Sequence, residues 1–81
     1  MRYFMKKEMF IEVLKELRKQ KKMTQESLAE KASIDDKHFG RIERGENSPT
    51  LNTFSKICSA LKIREDDFIK LTYSKTKNKK R

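Results

Sequence analysis

The chain has one cysteine, Cys58, in 81 residues. No intramolecular disulfide framework is open to it, and a reducing cytoplasm is the expected compartment. Its one histidine, His38, cannot complete with that cysteine the soft set of about four ligands that a zinc site needs, so no metal is expected. Two glycines, Gly40 and Gly45, are too few for a phosphate-cradling glycine-rich loop. No nucleophile–base–acid arrangement is present either. The acids Glu65, Asp66 and Asp67 read as a helix start. No enzyme, cofactor or small-molecule ligand is therefore expected. No apolar run approaches the roughly 18 residues of a membrane-spanning helix, and the first residues lack the apolar region of a secretory signal. No membrane partner is expected. Strand-type alternation is absent throughout.

What remains is a short, heavily charged chain, 41% charged and 35% hydrophobic. Its length suits one domain, which buries only about 60–65% of its unfolded surface. The net charge of +9 is unevenly spread. Five cations (Lys75, Lys77, Lys79, Lys80 and Arg81) crowd the C-terminal end, whereas 9–73 holds 13 basic and 11 acidic side chains. The balanced middle means that overall basicity is weak support for nucleic-acid binding; the placement of individual charges carries the case.

Helical periodicity recurs four or five times. Over 7–22, Phe10, Val13, Leu14 and Leu17 form one apolar stripe. Thr24 offers an N-cap for a second helix that buries Leu28, Ala29 and Ala32, with Glu26 at its positive end. Asp35 caps a third helix closed by Gly45. Turn chemistry over Glu46-Asn47-Ser48-Pro49 leads to Thr50, the cap of a fourth helix with the stripe Leu51, Phe54, Ile57, Cys58 and Leu61. A short fifth helix is expected over 65–72 with Phe68 in the core. The expected fold is all-α, a compact five-helix domain over 9–72. A leader over 1–8 precedes it, and a basic, disordered tail over 73–81 follows.

The third helix separates into two faces at about 100° per residue. Phe39 and Ile42 point to the core, while Asp36, Lys37, Gly40, Arg41 and Arg44 gather on the other side. A short helix with a mostly cationic outer face, one turn after another short helix, is shaped for a major groove. Lys37 and Arg41 lie one turn apart and reach base edges; Arg44 lies nearer the backbone. A charged helix face is more commonly just solvated, so the spacing of the surrounding residues has to decide.

The run Met23-Thr24-Gln25-Glu26-Ser27-Leu28-Ala29, then Ala32-Ser33-Ile34, then Phe39-Gly40-Arg41-Ile42-Glu43-Arg44-Gly45, resembles the lambda-repressor-like (XRE) helix-turn-helix family. Pro49-Thr50-Leu51 with Ile57, Ala60, Leu61 and Ile63 resembles the same family's fourth helix and the turn after it. The resemblance covers about 9–72 and implies that helices two and three form the helix-turn-helix. It implies phosphate contacts at Thr24 and Gln25, where the helix dipole and free N–H groups favour an anion. Thr24 as a plain cap and Gln25 as a solvated first-turn residue are the bland alternatives. Arg44 and Asn47 join the phosphate set.

Base reading falls by the same resemblance on Asp36, Lys37, Gly40 and Arg41. Arg41 suits guanine, whose O6 and N7 match its planar fork. Lys37 reads a base or grips a phosphate; Asp36 accepts from a cytosine amino group or supports the helix start. Gly40 stands where serine is common, either for close approach to DNA or by drift. Ser33 stands where the family's turn usually has glycine. Arg18 and Glu43 fall where the family commonly has a partly buried ion pair.

The function so implied is that of a transcriptional regulator, a repressor or autoregulator that binds double-stranded DNA at a palindromic operator as a homodimer. An antitoxin that neutralises a partner toxin and autoregulates its operon is the alternative. Ile69 and Tyr73, four apart on the fifth helix and hard to bury in so small a monomer, are the candidate dimer contacts, with Met1–Met5 in reserve.

Overall fold

The computed structural model describes the backbone of residues 7–79 and the side chains of 7–74. Five helices follow in order: α1 (Lys7–Gln20), α2 (Gln25–Ala32), α3 (Asp36–Glu43), α4 (Leu51–Leu61) and α5 (Glu65–Lys79); no strand occurs among the described residues. The helix starts are written in the caps. Thr24 Oγ1 accepts from the Ser27 N–H at 3.0 Å and Ser27 Oγ accepts from the Thr24 N–H at 3.0 Å, a reciprocal capping box. Asp35 accepts from the His38 N–H at 3.1 Å, and Thr50 Oγ1 accepts from the Thr53 N–H at 3.1 Å.

Left-handed residues close the first four helices. Gly45 takes φ +82°, but Lys22, Ser33 and Lys62 take φ 57°, 59° and 58° where glycine would be unstrained. After α3, the Glu46 N–H donates to Arg41 O at 2.8 Å and the Gly45 N–H donates to Ile42 O at 3.0 Å, the paired bonds of a Schellman turn.

The helices close on one apolar core. Leu14, Leu28, Phe39, Ile57, Leu61 and Phe68 are fully buried, each contributing about 1.5–3 kcal/mol through burial. Phe10, Phe54 and Phe68 form an aromatic cluster joining α1, α4 and α5, with ring centroids 5.2–6.0 Å apart. α2 packs on both α3 and α4, and α1 packs on α3 and α5. The α2–α3 pair is thus held from behind, with the outer side of α3 left free.

One expectation fails here and one helix boundary moves. Leu51, placed on the buried stripe of the fourth helix, is 86% exposed. Its spacing to Phe54 gives the right direction, but it is the first residue of α4 and lies at the rim of a groove shared with Lys7, Phe10, Pro49, Phe54 and Ile69. Periodicity reports direction, not depth. The fifth helix also continues past 72 to Lys79, across most of the segment assigned to disorder. Three acids at its start suit the helix dipole, and no proline or glycine interrupts it. Of the leader, Lys7 and Glu8 belong to α1. Residues 1–6, including the reserve contacts Met1–Met5, and 80–81 lie outside the described residues.

Candidate nucleic-acid interface

α3 is fixed to the rest of the domain by a buried charge. The Glu43 side chain is completely buried and receives Arg18 Nε at 2.7 Å on Oε2, with Arg18 Nη2 at 3.1 Å on Oε1. Arg18 itself is 12% exposed and sends Nη1 to the Met23 carbonyl at 3.0 Å. Gln25 Nε2 donates to the same Glu43 Oε1 at 2.8 Å. One carboxylate therefore ties α1, the α1–α2 turn and the first residue of α2 to the end of α3. No buried side-chain nitrogen or oxygen among the described residues is left unpaired, which is the condition under which a buried ion pair holds a geometry rather than weakening it.

The opposite side of α3 presents Asp36, Lys37, Arg41 and Arg44, all exposed. Gly40 differs. It is buried, and a Cβ there would stand 3.2 Å from Arg44 Nη1 and 3.7 Å from Gln25 Oε1. The room beside Gly40 is taken by the ends of two of the chain's own side chains, Arg44 from the same helix and Gln25 from α2.

At the start of α2, Thr24 is exposed and its hydroxyl oxygen serves the cap. Gln25 is half-buried, with one amide hydrogen committed to Glu43. Asn47 Nδ2 lies 3.5 Å from His38 Nδ1, which brings the turn after α3 against the outer half of the helix. His38, unassigned by the sequence, thus borders the same surface.

A further neighbour was hidden by the linear sequence. Glu46 accepts from Arg44 Nε at 2.9 Å and from Arg44 Nη2 at 3.3 Å, and both side chains are more than half exposed. The hydrogen bond from Arg44 holds the Glu46 carboxyl below the usual glutamate range, with the charges of Arg44 and Arg41 adding to it. The signal available in sequence is Arg44-Gly45-Glu46, two opposite charges flanking a glycine that reverses the chain. Elsewhere, Cys58 is buried in the core, which pushes its thiol up to about 12, with Glu65 adding to the effect. No group of three or more His, Cys, Asp or Glu able to hold a metal occurs among the described residues, and none of their helices is long and apolar enough to cross a membrane.

Comparison with known proteins agrees with this geometry. A helix-turn-helix family profile matches residues 14–68. The immunity repressor protein of Bacillus phage phi105 is 40% identical over 50 residues, which cover 62% of this chain and 35% of that protein. The restriction–modification controller protein C.AhdI from Aeromonas hydrophila superposes with a TM-score of 0.71 at 33% identity, covering 74% of this chain and 91% of the other. The wild-type restriction–modification controller protein C.Esp1396I gives a TM-score of 0.80 at 27% identity over 90% of this chain and 92% of its own. The chain spans 35% to 53% of the length of the curated relatives it matches.

Proposed function

The chain belongs to the lambda-repressor-like helix-turn-helix family, and from that premise we propose that it binds double-stranded DNA and regulates transcription. That family is one of transcription regulators, not enzymes. The observation that carries the reading is the exposed cationic side of α3, held outward by the buried Glu43 contacts to α1 and α2. α3 enters the major groove; Arg41 and Lys37 read base edges, with Asp36 able to accept from a cytosine amino group. Thr24 and Gln25 at the N-terminus of α2, together with Arg44 and Asn47 beyond α3, grip the flanking phosphates and set the register. The work is done in the compartment that holds the DNA, the cytoplasm.

A single recognition helix reads too few base pairs to select a site in a genome. The active form is a homodimer whose two α3 helices lie about 34 Å apart on a palindromic operator. Ile69 and Tyr73 are 45% and 64% exposed, and Leu51 joins Ile69 at the groove rim, so the α4–α5 side is the pairing surface that leaves α3 free. The phage repressor and the controller proteins among its relatives favour regulation over the toxin-neutralising alternative. The test is selection of bound duplexes from a random library. A recovered palindrome with half-sites one helical turn apart is expected; enrichment of no sequence would overturn specific recognition.

A further inference from the structure

The outer side of α3 has one carboxylate folded back onto it. The Schellman turn at Gly45 reverses the chain so that Glu46 comes to rest against Arg44, engaging Nε and Nη2. That edge of the guanidinium is the planar fork that takes a phosphate in two parallel bonds, and a carboxylate has the same geometry. The fork cannot serve both acceptors at once. The third nitrogen, Nη1, lies over Gly40, close to where any other residue's Cβ would stand. Glycine at position 40 thus gives the guanidinium a resting place along the helix. The pair contributes little to stability, because both partners are more than half exposed and water competes for each.

We propose that Glu46 is an internal stand-in for a DNA phosphate: it holds the Arg44 fork across Gly40 in the free protein, and a duplex must take that fork from it. The inference rests on the DNA-binding reading and adds a restraint to it. Phosphate contacts strengthen binding to every sequence alike. An acid that competes for one of them lowers affinity for arbitrary DNA and leaves the base contacts of Arg41 and Lys37 to discriminate. Glu46 also lies near Arg41, whose charge helps keep it ionised, so an anion stands within the cationic face in the absence of DNA.

Two measurements test this. In the first, dissociation constants for a scrambled duplex and for the selected operator are measured at fixed salt with the wild type, E46Q, R44A and the double variant. E46Q is expected to tighten both duplexes about two- to five-fold, the range that an exposed ion pair allows. In the R44A background the gain should largely vanish. An equal gain with and without Arg44 would make Glu46 a mere point charge and overturn the proposal, as would no gain at all. In the second, NMR follows the Glu46 carboxyl without DNA. It should titrate below the ordinary glutamate range in the wild type and return to it in R44A; an ordinary wild-type titration overturns the latch. If none of the four proteins binds either duplex, the DNA reading itself falls, and the titration identifies that failure as separate from the Arg44–Glu46 contact.

Discussion

Removing Arg18 should damage the domain more than removing the residue it pairs with. Glu43 is completely buried, whereas Arg18 is 12% exposed and carries a long stem. In R18A the carboxylate stays buried with only the Gln25 amide, having lost bonds of 2.7 and 3.1 Å to Arg18. Breaking one side of such a pair costs about 3–5 kcal/mol. In E43A the guanidinium keeps the Met23 carbonyl at 3.0 Å and can swing its tip to water, so about 2–3 kcal/mol is expected. A chain of this length has a total stability of only about 4–12 kcal/mol, so R18A should lose at least about a quarter of it. R18K, which keeps the charge and loses the fork, should fall between it and the wild type. R18M/E43M, which removes both charges, should cost clearly less than the two single replacements together. The assay is urea unfolding followed by far-UV circular dichroism, since the chain has no tryptophan to report by fluorescence. A loss below about 1 kcal/mol in R18A, or additive losses in the double variant, would refute the argument that Glu43 anchors α3.

Arg41→Ala should remove discrimination at one base pair per half-site, a loss of about 1–3 kcal/mol, while the circular dichroism spectrum stays unchanged; full affinity with the same preferences would move the reading face elsewhere. Ser33→Gly should stabilise the domain by about 0.5–1 kcal/mol, because the residue takes φ 59° at the end of α2, and a lowered urea midpoint would contradict this. Burial raises the Cys58 thiol from 9.0 to about 12, so its contribution to stability is present below about pH 9 and is lost as the pH rises through 12. Wild-type stability should therefore fall more between pH 8 and 11 than that of C58V; equal slopes would mean that the thiol ionises as freely in the folded state as in the unfolded one. Replacing Leu51 and Ile69 with polar residues should lower the mass in solution and weaken operator binding together, and a double variant that stays dimeric with unchanged affinity would place the pairing surface elsewhere.

The parts of this protein that can be read from sequence are those set by neighbours in the chain. Thr24, Asp35 and Thr50 announce the helix starts because a cap needs only the next three residues. Phe39 and Ile42 announce the inner side of α3 because its period is local. Depth is different. Leu51 and Phe54 share a stripe, yet whether anything covers the first turn of α4 depends on α1 and α5, distant in sequence. The end of α5 at Lys79 lies beyond the 72 expected from the last apolar residues, because no proline or glycine marks a stop. The site shows the same division. Exposure of Asp36, Lys37, Arg41 and Arg44 follows from the period of the helix. The cover over Gly40 does not, because it is made by Arg44 one turn on and by Gln25 from a different helix. The bond from the Gln25 amide to Glu43 is hidden in the same way, because its partner lies 18 residues on in a different helix. One buried carboxylate thereby joins the first turn of α2 to the end of α3, so a displacement at the start of α2 is felt along α3.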